Sequence, residues 1–434
     1  MLIAAVALTV AAGCGSSNDT GSKEPGYAAT LRPIITELMK DNAIPGAVVV
    51  VKSPKDGDWT ATFGTGTIGK DDPMTVDDHF RIGSNTKTMT VTVLMQLAQE
   101  GKLSLDDPIG KYWPGVPNGD RITLAQLAEM RSGLYNYTFD YDFSAAIDKD
   151  PQQVWTPEEL LAIAFAHPVD FQPGEKFEYC NTNTILLGLV IEKVTNMPVA
   201  DNFRQRIFEP LGLKHTSFPA PADSSMPDPH PQGYAFGTMV STIDTFALPP
   251  DQRAAALAGT LKPGNQTTSS PSWTWTAGAA ISTVDDMTTY AEALIDGKLL
   301  DTKFQNMRMD SIQPIDPANP AMAGYGLGIV RFGEHQFGHD GQIPGYMTYM
   351  ASDPDSGLTI VVATNLAAVP SGEGSALVLV KGMLPTFYGA DAVPGHDPAQ
   401  PNSATNTPAA SESPTGSTPW TTPRYSSPAP DPSA

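Results

Sequence analysis

Apolar positions change their spacing along the chain in a way that separates strands from helices. Residues 28–41 read as an amphipathic helix, and a β-branched run over 47–51 reads as a strand. Asp56-Gly57 is a turn signal, and residues 59–63 return as the second strand of a hairpin. The far end has the same character: residues 325–332, 346–352 and 358–364 read as strands, 354–357 as a turn, and 376–387 as a helix. Between them lie helical patterns at 86–100 (stopped by Gly101), 124–130, 157–166 and 184–194. Strands at both ends with helices between them predict an α/β fold. Its antiparallel five-stranded-type sheet is built from both chain ends and flanked by helices, with a mainly helical subdomain inserted. A cleft between the two parts suits a ligand.

The termini differ from this body, expected at 27–390. Residues 1–13 are uncharged and mostly apolar, too short to span a bilayer, and read as a signal segment. Residues 14–26 are small and polar, as in a flexible tether. Residues 391–434 hold 10 Pro, 7 Ser and 6 Thr, which predicts a disordered tail because so little apolar surface cannot offset ordering entropy.

Charge narrows the function. With 26 Lys plus Arg against 47 Asp plus Glu, the net charge is −21, which excludes a nucleic-acid partner. Two cysteines, Cys14 and Cys180, form no disulfide framework. The acidic run Asp71, Asp72, Asp77, Asp78 with His79 lacks a metal-ligand spacing and reads as a solvated loop. The glycines of 324–328 precede a strand rather than a helix, so they form no phosphate cradle.

Three short motifs remain. Ser84-Asn85-Thr86-Lys87 opens a helix and places an amine one turn from a hydroxyl, which suits nucleophile activation. Chance alone supplies about one S-x-x-K in this composition, and a capping serine with an exposed lysine is the bland alternative. Tyr179-Cys180-Asn181 offers a phenol base and a positioning amide, or merely a buried aromatic with a helix cap. Cys180 lacks nearby cations and reads as a packed thiol. His339-Asp340-Gly341 sits among glycines on an edge strand where backbone can approach a ligand, or is a turn histidine.

Taken in order, 95 and then 160 residues apart, the three motifs resemble the S-x-x-K, Y-x-N and K-T-G (or H-x-G) set of the serine penicillin-recognising enzymes. The similarity is to the class C β-lactamase and D-alanyl-D-alanine carboxypeptidase branch. It extends to the blocks 80–87, 97–105, 122–137, 179–192 and 324–329. The resemblance implies Ser84 as the acyl-accepting nucleophile, Lys87 as its proton partner and Tyr179 as the second acid or base. Asn181 would hold the substrate amide, and His339 would support Tyr179. The N–H groups of Ser84 and Gln342 would form an oxyanion hole beside Gly341, with Trp273 and residues 139–143 as pocket walls. No metal or organic cofactor is implied. Ala11-Ala12-Gly13-Cys14 resembles a bacterial lipobox, which implies lipid attachment at Cys14, the extracytoplasmic face of the cell membrane, and otherwise secretion.

Two departures bear on substrate. Asp340 stands where the family commonly has Thr or Ser, and Val330 where the carboxypeptidase branch has Arg, with Arg331 one position later and expected on the opposite face. Both disfavour an anionic substrate end. The resemblance therefore implies, first, a D-alanyl-D-alanine carboxypeptidase-like hydrolase of peptidoglycan-type peptides. An esterase or D-amino-acid amidase follows, then a β-lactamase or a silent penicillin-binding surface protein.

Overall fold

The computed structural model describes residues 24–389. The signal segment, Cys14, most of the tether and the 391–434 tail lie outside the described residues. The hairpin forms as expected from β1 (Gly46–Lys52) and β2 (Trp59–Gly64), with Val51 opposite Trp59. Two short pairings follow, β3 (Phe80–Arg81) with β6 (Ile281–Ser282) and β4 (Tyr234–Ala235) with β5 (Gly264–Asn265). The C-terminal part adds β7 (Gln313–Pro314), β8 (Ala323–Tyr325), β9 (Val330–Phe332), β10 (Gln336–Ile343), β11 (Tyr346–Ser352) and β12 (Thr359–Thr364). The main sheet runs β2-β1-β12-β11-β10-β9-β8-β7, so both chain ends do meet in one sheet. Its pairings are antiparallel. The five long strands are those of the expected five-stranded type, and three short ones extend them to eight.

Both faces of this sheet are covered at its centre, which explains why β1, β11 and β12 are buried along nearly their whole length. Val48 and Val50 enter a core shared with the helices Asn85–Gln99 and Asn181–Thr195. Ala47, Val49 and Val51 enter a second core with the helices Gly26–Asp41 and Ser375–Met383. The same alternation sends Met350 and Val361 to the first core and Tyr349 and Val362 to the second.

Two boundaries that bear on the site move. The single strand read over 325–332 is two strands, because Gly328 takes a φ of +63° and the Gly326 N–H closes a turn onto Ile329 O. The helix read from 184 begins at Asn181, so the Tyr-x-Asn motif straddles its start. The glycine-rich third motif lies on β10, whose pairing with β9 covers residues 336–338 and whose pairing with β11 runs from 337 to 343. Its 339–343 half is thus an edge on the side of the Ser84 helix. No helix among the described residues is long and apolar enough to cross a membrane.

Candidate active site

The helix Asn85–Gln99 approaches β10 so closely that glycine is required on both sides. A Cβ on Gly83 (φ +53°) would stand 2.7 Å from Gly341 C and 2.8 Å from Gln342 N. A Cβ on Gly341 would stand 1.9 Å from Ile82 O. Side chains lock the junction: Asn85 Nδ2 donates to Thr348 Oγ1 at 2.8 Å, and Thr348 Oγ1 donates to Ile82 O at 3.0 Å. Thr348 stands opposite Gly341 in the β10–β11 ladder, so the bond crosses where the glycine leaves room. Ser84 thereby sits at the helix start, one residue after the glycine that abuts Gly341 and Gln342. Helix-start N–H groups have no partner inside the helix.

Ser84 is the cap residue by position, yet its side chain makes no capping bond and is only 8% exposed. Lys87 is fully buried, and its Nζ lies 3.0 Å from Ser84 Oγ and 2.7 Å from Ala277 O. The capping-serine and exposed-lysine alternative is therefore not what the chain adopts. Burial pulls the Lys87 amine down to about 7, and the negative charge of Asp340 opposes the shift. An amine near that value can take a hydroxyl proton at neutral pH.

Ala277 belongs to the Trp275–Ala277 turn, which is fastened to the same helix. Thr90 Oγ1 donates to Thr276 O at 2.8 Å, and Ala280 N donates to Thr86 Oγ1 at 3.2 Å. Buried Thr86 and Thr90 are thus polar ties to a neighbouring loop rather than part of a solvated face. Trp273 precedes that turn; its carbonyl accepts from Tyr137 Oη at 2.6 Å and its ring meets Phe143 edge-on at 6.2 Å. Of residues 139–143, Phe143 enters the core, while Tyr141 is 63% exposed.

Tyr179 comes from the segment before the helix Asn181–Thr195. The Lys87 ammonium stands 4.9 Å over its ring centroid. Asn181 opens that helix and is tied to the 136–138 turn: its N–H donates to Asn136 Oδ1 at 3.2 Å and its Nδ2 to Thr138 Oγ1 at 3.4 Å. Between them Cys180 Sγ donates to Leu134 O at 3.2 Å, and burial pushes its thiol up to about 12. It is a packed thiol, as its surroundings in sequence suggest.

His339 and Asp340 point to opposite faces of the sheet. His339 stands opposite Met350 and Asp340 opposite Tyr349, which belong to the first and second cores respectively. The His339 ring lies 6.2 Å from that of Tyr179, so the third motif joins Ser84, Lys87 and Tyr179. The Asp340 side chain is 3% exposed, with Oδ1 3.6 Å from His339 Nδ1. It lies within the fold on the Tyr349 side, not on an open wall. Val330 is buried, and Arg331 Nη2 donates to Pro320 O at 2.6 Å with Nη1 donating to Gly333 O. Arg331, opposite Phe337 in the ladder, lies on the side away from Val330, and its guanidinium is held by those carbonyls.

Sequence reasoning gave no individual role to Tyr325, Ala277, Asn136, Thr138 or Thr348. Tyr325 Oη lies 3.2 Å from His339 Nε2. A threonine or a backbone carbonyl has no distinctive motif, so only Tyr325, inside the glycine-flanked 324–328 run, carried any signal.

The profile of the Beta-lactamase family matches residues 31–380. A Bacillus subtilis protein, PbpX, named as a penicillin-binding protein, is 26% identical over 335 residues, 76% of this chain and 72% of its own. Among solved structures, a D-stereospecific amidohydrolase from Streptomyces sp. aligns with TM-score 0.70 and 32% identity, covering 84% of this chain and 99% of that one. A D-amino acid amidase from Ochrobactrum anthropi SV3 aligns with TM-score 0.68 and 27% identity, over 82% and 98%.

Proposed function

Because the chain belongs to the Beta-lactamase family, we propose that this serine hydrolase cleaves amides through an acyl-enzyme on Ser84. The observation that carries the reading is the contact of 3.0 Å between a fully buried lysine amine and Ser84 Oγ. In its neutral form Lys87 takes the proton from Ser84 Oγ as that oxygen adds to the substrate carbonyl. The N–H groups of Ser84 and Gln342 hold the resulting oxyanion. The C–N bond then breaks, and the proton passes through Tyr179 to the departing amine. Water, deprotonated by the same pair, adds to the acyl carbon and releases Ser84 with its proton restored. Asn181, held by Asn136 and Thr138, orients the acyl group.

The substrate class we propose is an amide of a D-configured amino acid or short peptide without a free carboxylate on the leaving side. One observation supports it: the Arg331 guanidinium is engaged with the backbone carbonyls of 320 and 333. Two of the solved relatives are named a D-stereospecific amidohydrolase and a D-amino acid amidase. Carboxypeptidase action on D-Ala-D-Ala peptides is the second reading, favoured by the likeness to PbpX. Turnover of a D-phenylalanine amide, its L-enantiomer, a D-Ala-D-Ala peptide and an uncharged ester decides between them. Preference for the D-amide supports the first reading, and preference for the free carboxylate overturns it. Attachment through Cys14 is a separate proposal, tested by incorporation of labelled fatty acid into the chain and into its Cys14→Ser variant.

A further inference from the structure

Tyr325 is buried on β8, and its hydroxyl meets the one ring nitrogen of His339 that does not face its own strand. The other nitrogen, Nδ1, lies 2.6 Å from the carbonyl oxygen of Asp340. A carbonyl oxygen carries no proton, so Nδ1 must carry the hydrogen and donate it. His339 is fully buried, and burial together with the Lys87 charge lowers its pKa to about 3. The imidazole is therefore neutral, and Nε2 presents a lone pair. Tyr325 Oη, 3.2 Å from Nε2, has to be the donor. Burial and the Asp340 carboxylate push the Tyr325 phenol up, so it keeps its proton.

We propose that Tyr325 is a positioning residue whose hydroxyl donates to His339 Nε2, fixes the Nδ1–H tautomer, and removes the imidazole from the set of groups that give protons in the reaction. This rests on the acyl-serine reading for its kinetic consequence, not for the hydrogen-bond assignment. With both nitrogens of His339 committed, the leaving-group proton comes from Tyr179 or Lys87. The imidazole acts as a fixed wall beside Tyr179. The geometry fits: the Tyr325 and Tyr179 rings meet edge-on at 6.1 Å, and the His339 ring is 5.8 Å from Tyr325 and 6.2 Å from Tyr179. Loss of the Tyr325 hydroxyl would leave a buried lone pair unmatched and release the ring that packs on Tyr179.

The test is ¹⁵N-histidine NMR on the full chain, with His339 assigned by its absence in His339→Gln. The expected result is a neutral Nδ1–H imidazole with a hydrogen-bonded Nε2, unchanged from pH 5 to 8. Tyr325→Phe should move the Nε2 signal toward that of an unbonded lone pair. It should also lower kcat by about tenfold on a D-amino acid amide, with KM little changed. An Nε2–H tautomer in the natural protein, or an Nε2 signal that Tyr325→Phe does not move, overturns the proposal. Where Tyr325→Phe fails to fold, the Nε2 signal of the natural protein still decides: an Nε2–H, or an Nε2 lone pair without a hydrogen bond, overturns the proposal. Fluorophosphonate labelling of Ser84 runs alongside: its failure removes the acyl-serine reading and leaves the NMR result to judge Tyr325 alone.

Discussion

Lys87 Nζ stands 3.0 Å from Ser84 Oγ with no solvent exposure, one helical turn along from a serine that caps nothing. Burying an amine costs the fold stability, and such groups cluster where chemistry uses them.

The first consequence concerns activity against pH. With Lys87 pulled down to about 7, kcat/KM should rise from acid to neutral pH with a limb near 7, where the amine loses its proton. Lys87→Arg, which stays charged, should lose about 100-fold or more. A pH–rate profile without a limb between 6 and 8 contradicts the role given to the amine.

Stability should respond to the same group in the opposite sense from an ordinary ion pair. The unfolded chain holds the Lys87 proton up to about 10.5 and the native chain only to about 7. Between those values the unfolded state binds the extra proton, so the native state gains stability as pH rises, and the destabilisation is complete below 7. Lys87→Met should be inactive yet unfold at an equal or higher temperature at pH 6.5, with the slope from pH 7 to 10 reduced. Thermal melts across that range check it, and an unchanged slope counts against a depressed amine.

Gly341→Ala should damage the junction rather than the chemistry directly. The new Cβ would meet Ile82 O at 1.9 Å, backbone against backbone, so β10 or the Ser84 helix must shift. A loss of about 1–3 kcal/mol in stability is expected from overpacking, with kcat falling more than KM rises. Denaturant titration and steady-state kinetics measure both, and a variant of natural stability and activity contradicts the close approach.

Much of this was legible in the sequence because the sheet is apolar on both faces. The runs at 47–51, 346–352 and 358–364 are strands near those bounds, and Ser84, Lys87, Tyr179 and His339 are brought together. What stayed hidden was set by contacts distant along the chain. Thr348 is unremarkable until Ile82 O and Asn85 arrive beside it, and Ala277 contributes only a carbonyl. Nothing local tells that Asp340 shares the Tyr349 face, since that depends on register with β11.

Arg331 gives a test of substrate reading. Its guanidinium serves the backbone carbonyls of Pro320 and Gly333, so Arg331→Ala should cost about 1 kcal/mol of stability. The ratio of turnover on carboxylate-bearing and uncharged substrates should not change. A selective loss on carboxylate substrates would place Arg331 at the substrate instead.

Cys180 should be inert. Its thiol is buried, donates to Leu134 O and is pushed up to about 12, so iodoacetamide should not modify the native protein. Alkylation of Cys180 without loss of the fold, read by peptide mass, would contradict its packing.

The central claim is a covalent intermediate on Ser84, made by the amine 3.0 Å away. Rapid acid quench during turnover of a slow ester or amide, followed by peptide mass mapping, tests it most directly. The predicted result is the acyl mass on the peptide containing Ser84, with no adduct and no turnover in Ser84→Ala. Turnover that persists in Ser84→Ala, or an acyl group found on another residue, would contradict it.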